Sequence, residues 1–344
     1  MNIWTYAVTA AIALIITAAM GFPFIPILRR LKFGQTILDI GPAWHKEKKQ
    51  GTPTMGGIMF IIGITVAFII GMFMLWKNDS INLEQSGYMN FFNAVSGFVM
   101  ALCFALMGFL DDWIKVRKKR NEGLSVNQKL LMQALIVAAF FTSRVIAGDT
   151  RTVINFPLIG QLDFWYFYYI IMGLGIIYIV NAVNITDGVD GLCSSVTLIY
   201  CATFMFICNF LKLNELGLIA VATAGGCIGF LIWNFHPAKV FMGDTGSLFL
   251  GGIVCAVGIG SGYEVVMVIA AAVFIWEALT VLIQTTYFKA TGGKRLFKMT
   301  PIHHSFEMKG WNEIKIVLVF SLIAAVFGTA ATLLIIADLG FRII

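Results

Sequence analysis

Polar residues in this chain are confined to short connections between long apolar runs. Ten runs reach the roughly 20 residues that a helix needs to cross hydrocarbon, at about 3–28, 54–76, 91–110, 129–147, 164–183, 189–210, 215–234, 246–263, 265–288 and 314–337. A bilayer offers the backbone no water, so runs this apolar are expected to close their hydrogen bonds internally, as helices. Pro42, Pro53, Pro157, Pro237 and Pro301 fall between the runs. Only Pro23 and Pro26 fall inside one, near its end, where a kink is tolerated. No Lys or Arg precedes Arg29, so the first run lacks the charged start of a signal peptide and reads as a retained helix.

Composition narrows the class. With 59% hydrophobic and 12% charged residues, the 344-residue chain is no ordinary soluble globule. The expected fold class is an all-α polytopic membrane protein. No repeat, low-complexity tract or linker divides it, so one transmembrane domain over 1–344 is expected. Basic residues separate by connection: nineteen fall on one alternating set and five on the other. By the positive-inside rule the richer side is cytoplasmic and both termini lie outside.

The net charge of +6 follows from those same loops and reads mainly as topology plus contact with anionic head groups. Lys48, Lys49, Lys115 and Lys129 lie beside motif residues and suit attraction of a polyanionic substrate. No soluble basic domain exists to hold nucleic acid. The six cysteines lie in or beside apolar runs without a CxxC pair and read as small core residues. The GxxxG spacings Gly225/Gly229 and Gly258/Gly262 read as close packing within the bundle, a homodimer face being the weaker alternative.

Five aspartates, Asp111, Asp112, Asp187, Asp190 and Asp244, sit where apolar runs end, and the topology puts all five on the cytoplasmic side. Carboxylates at the edge of hydrocarbon are costly, so their convergence points to a single metal-dependent site. In Gly108-Phe-Leu-Asp-Asp-Trp-Ile-Lys115 the pair is expected to end the third helix, where the dipole disfavours negative charge and capping explains it poorly. As neighbours on a helix the two would point apart, one toward a metal or substrate and the other serving as cap or base.

Asn181-Ala-Val-Asn-Ile-Thr-Asp-Gly-Val-Asp-Gly191 and Phe241-Met-Gly-Asp-Thr-Gly-Ser247 both place Asp beside Gly where a helix starts. Unpaired N–H groups there suit a phosphate or the edge of a base, although a plain Asn/Asp/Gly turn competes in the first case. Neither is a P-loop. Hard oxygen ligands without Cys or spaced His favour magnesium over zinc. His303 and His304 lie in the last basic loop and suit phosphate or sugar better than metal. Glu277 stands deep inside a run, where it either pairs with another helix or lines a substrate pocket.

Five motifs together, Gly51-Thr-Pro-Thr-Met-Gly-Gly57, Gly108-Phe-Leu-Asp-Asp112, Asn184-Ile-Thr-Asp-Gly-Val-Asp-Gly191, Phe241-Met-Gly-Asp244 and Pro301-Ile-His-His304, span nearly the whole chain on alternate loops. In this the sequence resembles the bacterial phospho-N-acetylmuramoyl-pentapeptide transferases, within the polyprenyl-phosphate N-acetylhexosamine-1-phosphate transferase superfamily. The resemblance implies an enzyme of the bacterial cytoplasmic membrane with its site facing the cytoplasm. It would move phospho-MurNAc-pentapeptide from UDP-MurNAc-pentapeptide to undecaprenyl phosphate with Mg²⁺ as cofactor, giving lipid I and UMP, the first membrane step of peptidoglycan synthesis.

By the same resemblance Asp244 is the main magnesium ligand, Asp111 and Asp112 serve the lipid phosphate with Asp111 the favoured base, and His303 and His304 belong to the catalytic set. Asn184, Asp187 and Asp190 line the nucleotide side, Asn234 and Phe241 lie near uracil, and Lys115 and Lys129 face phosphates.

Two departures stand out. Position 305 is serine where the family usually has a third histidine, and His45 is six residues before Gly51 rather than five. Counting back from Gly51 favours Lys49 over Lys48 as the family lysine. Exchange of one pyrophosphate for another needs no ATP, so position and charge neutralisation carry the rate. Direct attack by the lipid phosphate is favoured over a covalent aspartyl intermediate. Rival readings are a transferase for a different UDP-N-acetylhexosamine and a secondary transporter, which would carry mid-membrane charges and inverted repeats.

Overall fold

A computed structural model describes residues 3–31, 51–77, 85–118 and 122–341. The helices are α1 (Ile3–Arg30), α2 (Gly57–Lys77), α3 (Gln85–Lys118), α4 (Val126–Ile146), α5 (Phe167–Thr186), α6 (Leu192–Phe210), α7 (Asn214–Asn234), α8 (Gly243–Gly260), α9 (Glu264–Ala270), α10 (Ala272–Ala290), α11 (Ile302–Glu307) and α12 (Glu313–Phe341). Among the described residues nine helices are long and apolar enough to cross a membrane, and the count is ten where α9 and α10, a pair bent by 75°, are taken as one span. The protein is thus a multi-pass, all-α membrane protein. The apolar run 265–288 hides that bend, because both halves are hydrophobic and only the backbone at Ala271 leaves helix geometry (φ −86°, ψ 9°).

Burial ranks the helices. In α8, 89% of the spanning residues lie inside the protein, against 28% in each of α1, α4 and α12. The central helix is therefore α8, packed by α3, α5 and α2, while the outer helices turn their remaining surface to lipid. Without a hydrophobic drive between helices in lipid, such packing relies on close backbone approach. Gly225 and Gly229 supply it against the α1 backbone at Ala10 and Leu14. Gly258 does so against Met267, but Gly262 lies beyond the end of α8 at φ +73° and belongs to a turn, so the second spacing is not a helix face. Five cysteines are buried, whereas Cys103 is exposed on α3 and lies outside the core.

Two other boundaries differ from expectation. The third span continues to Lys118, so Asp111 and Asp112 sit inside α3 and not at its end. The connection 147–166 holds an antiparallel hairpin, β1 (Val153–Phe156) and β2 (Gly160–Asp163), with Val153 opposite Asp163 and Phe156 opposite Gly160. Strands of four residues are too short to register as an alternating pattern. This hairpin is held from outside: Leu158 N–H donates to Asp338 Oδ1 at 2.9 Å, and Asn155 donates to the carbonyl of Gly262.

Candidate active site

The start of α8 is built against the side of α3. Asp112 accepts hydrogen bonds from the backbone N–H of Asp244 (3.2 Å) and of Thr245 (2.9 Å), and from the Thr245 hydroxyl (2.6 Å). Helix N-termini leave donors unpaired, and a carboxylate there also meets the positive end of the dipole. Asp112 is thereby a cap supplied by another helix. Two glycines make the approach possible. A Cβ on Gly108 would fall 2.2 Å from the Asp244 carbonyl oxygen, and Gly243 takes φ +69° with Asp112 Oδ2 2.6 Å from where its Cβ would be.

The capped helix presents Asp244 beside Asp111. Lys115 Nζ lies 2.6 Å from Asp111 and 2.9 Å from Asp244, while Lys129 Nζ lies 3.1 Å and 3.2 Å from the same two carboxylates. Lys115 is one turn beyond Asp111 on α3. Lys129 is placed by a capping box at the start of α4, where Ser125 and Gln128 satisfy each other's backbone N–H groups. Asp111 is fully buried and also accepts the Leu124 N–H at 2.7 Å, whereas the Asp244 side chain keeps 18% of its surface exposed. Oxygen atoms of Asp111, Asp112 and Asp244 all lie within 4.8 Å of one another, a group able to hold a metal ion. Three carboxylates against two ammonium groups leave a formal excess of negative charge that a divalent cation would offset.

The other motifs converge on the same place from behind. Asn184 donates to Asp244 Oδ1 at 2.9 Å and to Ser247 at 2.7 Å, tying the end of α5 to α8. The Gly51–Gly57 motif runs along residues 241–242: Phe241 N–H donates to Pro53, and Gly56 and Gly57 donate to Phe241 and Met242. Asn234 is buried and spent on backbone, accepting from Gly191 (3.1 Å) and donating to Val240 (3.0 Å). It shapes the loop that carries Phe241, whose side chain is half-buried. Lys48 and Lys49, like His45, lie outside the described residues.

The five aspartates do not form one cluster. Asp190 faces a second group, accepting from Ala238 N–H (3.0 Å) and lying 3.1 Å from His236 Nδ1, while its own N–H donates to Glu313 at 2.9 Å. Asp187 is half-buried at the end of α5, its N–H donating to the Asn184 carbonyl. His303 is fully buried, 3.1 Å from Glu277, so Glu277 pairs across helices as one of its two readings expected. His304 Nδ1 pairs with Glu307. Ser305, at the position of the missing third histidine, closes a turn by accepting Met299 N–H and donating to Met299 C=O.

Known proteins are similar to this chain along most of its length. Residues 94–262 match glycosyl transferase family 4, and residues 49–61 match signature 1 of the phospho-N-acetylmuramoyl-pentapeptide-transferases. The chain is 42% identical over 322 residues to the phospho-N-acetylmuramoyl-pentapeptide-transferase of Listeria monocytogenes serotype 4b, covering 93% of this chain and 95% of that one. It belongs to the phospho-N-acetylmuramoyl-pentapeptide-transferase family. The enzymes of that name from Bacillus cytotoxicus (43% over 314 residues, 91% and 92% of the two chains) and Halalkalibacterium halodurans (39% over 326 residues, 94% and 95%) are similar along their length too.

Within this transferase family the motifs had pointed to the carboxylates and lysines, but not to Thr245, Ser247, His236 or Glu313. Thr245 and Ser247 lie inside the Phe241–Ser247 motif, so their helix-start position was a usable signal. His236 stands in the connection after α7 and Glu313 at the start of α12, and only the fold brings them to Asp190.

Proposed function

We propose that this protein transfers phospho-MurNAc-pentapeptide from UDP-MurNAc-pentapeptide to undecaprenyl phosphate, releasing UMP and forming lipid I, at the cytoplasmic face of a bacterial cytoplasmic membrane. The observation that carries the reading is the joint placement of Asp111, Asp112, Asp244, Lys115 and Lys129 at adjoining helix segments. A set of hard oxygen donors beside two ammonium groups fits a divalent cation plus phosphate oxygens. Asp244, the least buried member, would hold Mg²⁺ with Asp111 beside it, and Asp112 would keep Asp244 in place from behind. A bound Mg²⁺ supplies neutralisation of the charge that builds on phosphoryl oxygens.

In this mechanism an oxygen of the lipid phosphate attacks the sugar-bearing phosphorus of the donor. The bond from that phosphorus to the bridging oxygen breaks, and UMP leaves with the bridging oxygen. Asp111 takes the proton when the acceptor phosphate arrives singly ionised. Lys115 and Lys129, which bridge the two carboxylates, turn to the phosphates. Asn184, Asp187, Asp190 and Phe241 form the nucleotide side, with Phe241 offering a ring for uracil to stack on and Asn234 shaping the loop behind it. His303 and His304 belong to the same end through their contact with the Asn184–Gly191 turn.

Purified protein given undecaprenyl phosphate, Mg²⁺ and UDP-MurNAc-pentapeptide is expected to release UMP, and to lose that activity in EDTA. Release with UDP-N-acetylglucosamine in place of the muramoyl donor would move the protein to the neighbouring transferases, and solute flux without UMP release would make it a transporter. With labelled donor and no lipid acceptor, no label should remain on the protein; a stable adduct abolished by Asp111→Asn or Asp244→Asn would replace direct attack by a covalent intermediate.

A further inference from the structure

Glu277 and His303 have no direct contact with the aspartate–lysine group, yet both are completely buried. Glu277 sits in the second turn of α10, just beyond the 75° bend, and His303 lies in the first turn of α11. Glu277 Oε2 lies 3.1 Å from His303 Nδ1. None of the four polar atoms of the pair, the two Glu277 carboxylate oxygens and His303 Nδ1 and Nε2, makes a hydrogen bond among the described residues. The two side chains thus meet as a close buried pair without a formed hydrogen bond. Buried polar groups are almost always satisfied, so a pair left this way is retained for what it holds in place.

What the ring holds is the Asn184–Gly191 turn. A Cβ on Gly188 would fall 2.3 Å from His303 Nε2 and 3.3 Å from His304 Nε2, so both imidazoles press their Nε2 edges on one glycine. Their ring centroids are 4.2 Å apart at 64°. Each Nδ1 meets a carboxylate, Glu277 for His303 and Glu307 for His304. Glu307 hydrogen-bonds the His304 ring, and Glu277, packed 3.1 Å from His303 Nδ1, restrains the plane of that ring, so both Nε2 edges stay turned to Gly188. Asn184, at the other end of the turn, reaches Asp244 at 2.9 Å. An unbroken path therefore runs from Glu277 through His303 and Gly188 to the turn that ends at the carboxylate cluster.

We infer that Glu277 is a positioning residue for the donor nucleotide: it locks the His303 ring against Gly188 and so sets the turn that receives the nucleotide. The inference rests on the proposed reading of that turn as the nucleotide side. It predicts a split in kinetics, because the lysines are held by α3 and α4, and Asp244, although Asn184 reaches it, is also held from the other side by Asp112 and the two lysines. In Glu277→Gln, which keeps the volume and removes the charge, the affinity for UMP alone and the KM for donor should worsen by about tenfold, with kcat and the KM for lipid phosphate changed less than about threefold. Glu277→Asp, one methylene too short to reach His303, should not restore them.

UMP binding is measured by calorimetry on detergent-solubilised full-length protein whose melting temperature matches wild type. His303→Gln is measured in parallel, and the double variant should be no worse than the weaker single one, since the two act through one contact. Unchanged UMP affinity in either folded single variant, or fully additive losses in the double variant, overturns the inference. Should wild type itself fail to bind UMP, the nucleotide reading of the turn falls instead, and the two failures are thereby told apart.

Discussion

Asp112 is engaged first with another helix. Its two oxygens are occupied by three donors at the start of α8, so its first task is to hold Asp244. Asp112→Asn keeps the shape but offers an amide N–H₂ to donors. UMP release should fall by at least about 100-fold, the scale of losing a preorganised charge contact, with a smaller drop in melting temperature. Gly108→Ala tests the same joint through sterics. Its methyl would meet the Asp244 carbonyl at 2.2 Å, so the helices must part, at about 2 kcal/mol and with at least tenfold lower activity. Wild-type turnover in that variant would show that the α3–α8 contact does not set the site. Ser305 makes the opposite point: it clips Met299, and Ser305→Ala should cost about 1 kcal/mol with donor KM unchanged.

At the scale of the element, helix ends matter more than helix centres. The end of α4 is fastened by a buried clamp in which Arg144 and Arg151 both reach Asp149, Arg151 Nε at 2.8 Å. Burial by itself would raise the Asp149 carboxyl, but hydrogen bonds from Arg151 and the charge of Arg144 outweigh it and hold the group well below the usual carboxylate range. The native state then binds fewer protons than the unfolded chain in acid, so stability rises with pH there. This contribution is complete above the unfolded value near about 3.9 and fades as pH falls through the depressed folded value. Asp149→Asn should lower the melting temperature at neutral pH and flatten its decline below about pH 4. Parallel acid limbs for variant and wild type would remove the clamp as a source of acid sensitivity.

For the whole molecule, the distribution of basic residues gives an orientation that can be measured. In a Cys103→Ser background, a cysteine at Gln161 on the exposed hairpin should react with a membrane-impermeant maleimide in intact cells, and one at Lys294 should react only after lysis. The reverse pattern would invert the topology and put the carboxylate cluster outside. Sidedness also decides chemistry, since a nucleotide-linked donor is met only where nucleotides are present.

Local sequence determined the helices and the identity of the chemistry. Apolar length alone specifies a span, because an unsatisfied backbone in lipid is too costly for any other structure. Carboxylates with lysines are residue types able to hold a metal ion and meet a phosphate whatever their arrangement. Arrangement itself was settled only by tertiary structure. The bend at Ala271 leaves no trace in hydropathy, and the hairpin strands are too short to show a period. The five aspartates separate: Asp111, Asp112 and Asp244 group together, Asp190 lies beside His236 and Glu313, and Asp187 belongs to neither group. Glu277, a lone charge in an apolar run, acquires its partner only when α10 folds back on α11. Spans follow from an interaction each residue has with its solvent, whereas partners follow from contacts between segments far apart in the chain, and no local pattern encodes those.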